Sequence, residues 1–182
     1  MSGVGHVVAF MQRSWWRAAL VFAVLAVAFA VFGRHAVPPS TALNSGALAL
    51  ELVGTRSGAI AVLRAFDQQH GVHAARVSIY WDLAFIASYV AVLVLALRYF
   101  ARPGEPDLID RTAAKSAWLA GAADCLENVG MLAMLAASPQ QPPDWLGFAA
   151  FATTVASLVK WVLAAFAVGH ALWLAWRKLA QR

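Results

Sequence analysis

Carboxylic acids interrupt two long apolar stretches of this chain, where they could carry protons or hold a positive charge. In one stretch Tyr89 follows Asp82 at an offset of seven residues, so both side chains lie on one face if the stretch is helical. In the other, Asp124, Glu127 and Asn128 are spaced at offsets of three and four, which puts them on a single polar stripe. The spacing therefore predicts two helices that each turn one polar face inward.

A third apolar stretch supplies a counter-charge. Thr153, Ser157 and Lys160 follow one another at offsets of four and seven, again on one helical face. Counted inward from the predicted outer ends of their helices, Glu127, Asp124 and Lys160 lie roughly 15, 20 and 21 Å deep. An unpaired charge at that depth costs at least about 2.5 to 3.5 kcal/mol on insertion scales. We therefore expect Lys160 to pair with Asp124 and Glu127, called here the acid pair.

The charges of this constellation do not balance. The acid pair and Asp82 face one lysine, Lys160, which leaves two excess negative charges if every group is ionised. A proton on one carboxyl, a bound cation, a cationic ligand head, or Arg64 or Arg76 from a neighbouring segment would each offset the excess. The pattern favours a site that binds positive charge.

The chemistry of these residues fits more than one function. The favoured interpretation is a pocket that binds a small amphiphilic or cationic ligand or handles protons. Tyr89 and Asn128 would be its hydrogen-bonding walls and Asp82 the gate nearest the outside. The first alternative is a small intramembrane enzyme of the isomerase or transferase type that acts on a lipid, with Glu127 or Asp124 as general acid or base. The second is a structural subunit of a membrane complex, with helix contacts made by small residues such as Ala120, Gly121 and Gly130. Apart from these functions, the polar groups could simply lock the helices in register through hydrogen bonds.

Composition places these stretches in a membrane. Of the 182 residues, 62% are hydrophobic and 13% are charged, and the mean hydropathy is +0.66, well above the values of soluble domains. The net charge of +5 comes mostly from residues beside the apolar runs, as the positive-inside rule requires, so nucleic acid is not an expected partner. The single cysteine, Cys125, excludes an internal disulfide.

The hydropathy pattern predicts an all-α, single-domain bundle of four transmembrane helices. An interrupted segment with Glu51, Arg56, Arg64 and Asp67 separates the first two and is expected outside. It would form one or two short amphipathic helices, either as a cap over the bundle mouth or as an interfacial connector. The predicted bounds are about 15–33 for the first span, 34–76 for the external segment, and 77–99, 112–137 and 145–176 for the other spans.

The loop charges predict the orientation. Lys and Arg residues precede the first span, flank the connection between the second and third, and follow the fourth. The loop 138–144 has three prolines, one aspartate and no Lys or Arg. By the positive-inside rule both termini are cytoplasmic, and the expected location is the bacterial inner membrane.

Other candidate sites lack ligands. His170 is the only histidine in a predicted span, so a haem held by two histidines is not expected. Asp67, His70 and His73 offer only three ligands on an external segment, and we interpret them as exposed polar residues rather than a zinc site. No P-loop, dinucleotide-binding or zinc-protease motif occurs. No cofactor and no metal site are expected, and the expected partners are membrane lipids.

The motifs of the last three spans resemble a known pattern. D-x-x-F-x-x-x-Y from Asp82 to Tyr89, D-x-x-E-N from Asp124 to Asn128, and the dipeptide that begins at Lys160 resemble small uncharacterised four-helix inner-membrane proteins of bacteria. The resemblance covers about half of the chain and implies a shared site without a named activity. A looser architectural parallel is the four-helix emopamil-binding and sigma-2-receptor-like group, in which acidic residues inside the bundle hold cationic or sterol-like ligands.

Overall fold

The structure, a computed structural model, describes residues 47–101 and 107–180. Every regular element in these two ranges is an α-helix, which confirms the all-helical prediction for the part of the chain described. The predicted first span, 15–33, lies outside the described residues. The helices are α1 (Ala47–Glu51), α2 (Arg56–Gln68), α3 (Val72–Phe100), α4 (Leu108–Ala136) and α5 (Leu146–Ala180).

Helices α3, α4 and α5 are each long and apolar enough to cross a membrane. They contain 29, 29 and 35 residues, whereas a hydrocarbon core of about 30 Å needs about 20 residues. They coincide with the second, third and fourth predicted spans, but their ends differ by a few residues. Helix α4, for example, begins at Leu108 rather than near 112, because the Asp107 side chain accepts a hydrogen bond from the Asp110 backbone N–H and caps the first turn.

Small residues bring the three long helices close together. A Cβ atom at Gly121 would lie 2.6 Å from Val90 Cγ2 on α3, and one at Gly130 would collide with Thr153 Oγ1 on α5. Helix α4 thus packs against both neighbours at close range, as small residues allow in helix pairs. Its Asp124, Glu127 and Asn128 are buried in these contacts.

The two short helices cover one end of the bundle, called here the cap end. Thr55 caps α2 by accepting a hydrogen bond from the Gly58 N–H, and α2 buries Leu63 and Phe66 in a shared core. That core also contains Leu50 of α1, Met131 and Met134 of α4, and Leu146 and Ala150 of α5. The opposite end, where α3 ends and α4 begins, is called the base end.

Candidate functional site

Lys160 lies at the centre of a buried group of three carboxyls. Its Nζ atom is 2.8 and 2.9 Å from the two carboxyl oxygens of Glu127, 3.1 Å from Asp124 Oδ1 and 3.7 Å from Glu51 Oε2. The exposed fractions of the four side chains are 11% for Lys160, 1% for Glu127, 5% for Asp124 and 14% for Glu51. We call these four residues the lysine cluster. It joins α1, α4 and α5.

Two hydrogen bonds connect α3 to α4 beside the lysine cluster. Tyr89 Oη donates to Asp124 Oδ2 over 3.0 Å, and Asn128 Nδ2 donates to Asp82 Oδ2 over 2.7 Å. Because Asn128 follows Asp124 by one helical turn, the second bond lies one turn nearer the cap end. The six residues expected at the site from the sequence therefore lie in two neighbouring groups, together called the network. Tyr89, Asp124, Glu127 and Lys160 form one, and Asp82 and Asn128 form the other.

The sequence did not point to Glu51 as a site residue. Glu51 ends the short helix α1, and its backbone carbonyl accepts a hydrogen bond from Thr154 Oγ1 over 2.8 Å. The same Thr154 oxygen accepts from the Gly54 N–H over 3.0 Å, and Gly54 has the left-handed φ of +60° that a glycine adopts without strain. These two bonds, called here the Thr154 latch, fix the turn after α1. The Glu51 carboxyl also accepts a hydrogen bond from Ser157 Oγ over 3.4 Å.

The two arginines considered as counter-charges lie elsewhere. Arg76 donates to the Leu135 carbonyl over 2.8 Å, and Arg64 is exposed on α2. Among the cations of residues 47–101 and 107–180, only Lys160 forms an ion pair with the acids of the network. The described part of the segment between the first two predicted spans, residues 47–76, therefore adds the Glu51 carboxyl to the site and no positive charge.

The lysine cluster holds more negative than positive charge. If all of its groups were ionised, three carboxylates would face one ammonium group, an excess of two negative charges. Two unit charges 4 Å apart interact by about 4 kcal/mol at an effective dielectric constant of 20. Carboxylates gathered around one ammonium group therefore repel one another unless a proton or a cation neutralises part of the excess. The arrangement can bind and release positive charge.

A second ionisable pair lies at the base end. His170 Nε2 is 2.7 Å from Asp110 Oδ1, and both side chains are largely buried. The imidazole ring stacks on Trp173, with ring centroids 5.5 Å apart. We call Asp110 and His170 the imidazole pair. It links α4 to α5, and sequence analysis missed it because nothing local connects two residues on different helices.

Asp67, His70 and His73, considered above as possible zinc ligands, do not come together as a metal site. Asp67 accepts a hydrogen bond from Gln140 Nε2 over 3.1 Å, which ties α2 to the connection between α4 and α5. His70 and His73 are exposed. Within the described ranges, no group of three His, Cys, Asp or Glu side chains could hold a metal ion.

Comparison with known proteins gives no further guide to the site. The chain matches no protein-family model, no curated protein and no solved structure.

Proposed function

We propose that this chain is a multi-pass protein of the bacterial inner membrane whose lysine cluster binds positive charge, either protons or a small amphiphilic or cationic ligand. The membrane part of the proposal is supported by the outward faces of α3, α4 and α5. Large apolar side chains are exposed there, among them Leu83, Leu126, Val129, Leu158 and Val162, whereas the ionisable groups are turned inward. A polar interior with an apolar exterior is the arrangement that a bilayer favours.

Charge at the two ends supports both termini on the cytoplasmic side. The positive-inside rule counts Lys and Arg near the ends of spans and gives Asp and Glu little weight. The base end has the larger number among the described residues, namely Arg98, Arg111, Lys115, Arg177 and Lys178. The cap end has Arg56, Arg64 and Arg76. With a fourth span before residue 34, the N- and C-termini would share the base side.

The observation that carries the proposed function is the three-to-one ratio of carboxyls to ammonium in the lysine cluster. Locking two helices in register needs only one hydrogen-bonded pair, and such bonds contribute about 0.6 to 2 kcal/mol in membranes. Two further carboxyls around the same amine make the empty site unfavourable and increase its affinity for a proton or a cation. A site built in this way takes up positive charge and releases it when a competing charge arrives.

The experiment is infrared difference spectroscopy of the purified protein in detergent, following the C=O stretch of protonated carboxylic acids from acid to alkaline pH. We expect a band from a buried protonated carboxyl that titrates in the parent protein and is lost or shifted in Glu127→Gln. Asp144→Asn is the matched control, because Asp144 is a fully exposed carboxyl at the cap end, and its spectrum should keep the band.

Native mass spectrometry of the same samples tests the ligand half of the proposal. A retained small molecule in the parent protein that is lost in Glu127→Gln supports cation binding. The proposal would be wrong if the buried carboxyl signal did not change with pH and the protein carried no small molecule. With that combination of results, the network would serve only to hold the helices in register.

A further inference from the structure

Two buried oxygens of the network, Glu127 Oε2 and Asn128 Oδ1, have no hydrogen-bond partner among the described residues. Glu127 Oε2 is 2.8 Å from the ammonium group of Lys160, whereas Asn128 Oδ1 has no charged partner. Asn128 is 1% exposed, and its amide nitrogen donates to Asp82. Because an ionised carboxylate only accepts hydrogen bonds, the nitrogen must face Asp82 and the amide oxygen must point elsewhere. Among the described residues, no hydrogen-bond donor meets Asn128 Oδ1. A buried acceptor without a donor is rare in proteins and calls for an explanation.

The neighbouring acid also lacks a counter-charge. Asp82 is half-buried and forms no ion pair with any residue in the described ranges. It lies one turn nearer the cap end than the bond between Tyr89 and Asp124. The Asp82 carboxyl therefore accepts a hydrogen bond from Asn128 but has no counter-charge, and the oxygen of the same Asn128 amide has no donor.

Aromatic rings complete the surroundings. Phe85 follows Asp82 by one turn on the same face of α3, and its ring centroid is 5.5 Å from that of Tyr89, at a tilt of 53°. Phe85 is half-buried, and along α3 it lies between Asp82 and Tyr89, the two residues whose side chains bond to α4. Organic ammonium groups bind over the faces of aromatic rings, and Phe85 lies one turn from the Asp82 carboxyl on the same face of α3.

We infer that Asp82, Phe85 and Asn128 form a subsite for the protonated amine of a small organic cation, next to the lysine cluster on its cap side. This inference rests on the proposed function and names the ligand class. The ammonium group donates one N–H to Asn128 Oδ1 and another to Asp82, and its alkyl part packs against Phe85. A quaternary ammonium group has no N–H and leaves Asn128 Oδ1 unsatisfied. A metal ion is a poorer fit, because hard cations require several oxygen ligands and one side of the subsite is a hydrocarbon ring.

The test is isothermal titration calorimetry of the purified full chain in detergent at low salt, with two probes of matched length, butylammonium and butyltrimethylammonium. In the parent protein we expect butylammonium to bind at least about tenfold more tightly, the ratio that corresponds to one additional hydrogen bond of about 1.4 kcal/mol. Asn128→Leu, which is similar in shape, should abolish this preference. Asp82→Asn should weaken both probes.

Two further variants serve as controls. Gln140→Leu removes an exposed amide outside the network and should leave both affinities unchanged. Phe85→Leu should weaken both probes by a similar factor and keep the preference, because the ring does not distinguish N–H from N–CH₃. If Asn128→Leu does not fold, the comparison of the two probes on the parent protein still decides the question.

The outcomes separate this inference from the function on which it rests. If butyltrimethylammonium binds as tightly as butylammonium, or if Asn128→Leu keeps the preference, the subsite is wrong even where the carboxyl band still titrates. If neither probe binds but the Glu127-dependent band titrates with pH, the subsite is again wrong and proton handling stands. If neither probe binds and the carboxyl band does not titrate with pH, both proposals are wrong.

Discussion

The lysine cluster and the imidazole pair join the same two helices, but they are built to different charge ratios. At the base end one carboxyl faces one imidazole at 2.7 Å, and an aromatic ring stacks on the imidazole. Toward the cap end three carboxyls face one ammonium group, and the third carboxyl comes from the separate helix α1. A balanced pair is sufficient to hold α4 against α5, so the additional acids of the lysine cluster need another explanation. We attribute them to the binding of positive charge.

The largest effect should come from removing the one cation of the lysine cluster. Lys160→Met leaves three buried carboxyls without a counter-charge, and breaking a buried ion pair from one side typically costs about 3 to 5 kcal/mol. We expect a large fall in the unfolding temperature in detergent. The double variant Lys160→Met/Glu127→Gln should recover part of the loss, because it removes one of the stranded charges. A double variant that is less stable than Lys160→Met would contradict the charge argument.

Breaking the imidazole pair should cost less and leave the site intact. His170→Phe keeps an aromatic ring against Trp173 but removes the partner of Asp110, and hydrogen bonds to charged groups contribute about 1.5 to 3 kcal/mol. Thermal unfolding should show this loss, whereas the Glu127-dependent carboxyl band should be unchanged. A loss of that band in His170→Phe would show that the imidazole pair and the lysine cluster are coupled and do not act independently.

A smaller effect is expected at the Thr154 latch. Thr154→Val preserves the shape of the side chain and removes its bonds to the Glu51 carbonyl and the Gly54 N–H, at a cost of about 1 to 2 kcal/mol. The change should be local, with faster amide hydrogen exchange in residues 47–55 and little change in α4. Ser138→Ala, at an exposed hydroxyl in the connection between α4 and α5, is the control. Unchanged exchange at residues 47–55 would mean that other contacts fix α1.

The smallest effect on stability should have the opposite sign. Glu51→Gln keeps a group that can accept a hydrogen bond from Ser157 but removes one negative charge. The free energy of unfolding should therefore stay constant or rise by about 1 kcal/mol or less, which thermal unfolding in detergent would show. Binding of butylammonium should weaken, because the site loses part of its excess charge. Equal affinity in Glu51→Gln and the parent protein would exclude Glu51 from the function.

The sequence predicted the long helices and the core of the site because both depend on local patterns. Apolar runs set the positions of α3, α4 and α5, and offsets of three and four residues put Asp124, Glu127 and Asn128 on one face. The pairing of Lys160 with the acid pair followed from depth alone. The start of α4 at Leu108 could also have been predicted from the sequence, since Asp107 is a typical N-cap residue.

Glu51 and the imidazole pair depend on contacts that no local pattern contains. Glu51 enters the lysine cluster because the turn after a five-residue helix is bonded to Thr154, about a hundred residues away in the chain. Asp110 and His170 are 60 residues apart and meet only because α4 and α5 are antiparallel neighbours. The sequence analysis expected Asp82, Asp124 and Glu127 to face Lys160 and considered Arg64 and Arg76 as counter-charges. In the structure the third acid at Lys160 is Glu51, and neither arginine pairs with the acids of the cluster.

The contact of Gly130 with Thr153 limits what position 130 can hold. One turn on the cap side of Glu127, only the Thr153 side chain lies between the backbones of α4 and α5. A residue with a Cβ at position 130 would therefore displace Thr153 or push apart the two helices that carry Glu127 and Lys160.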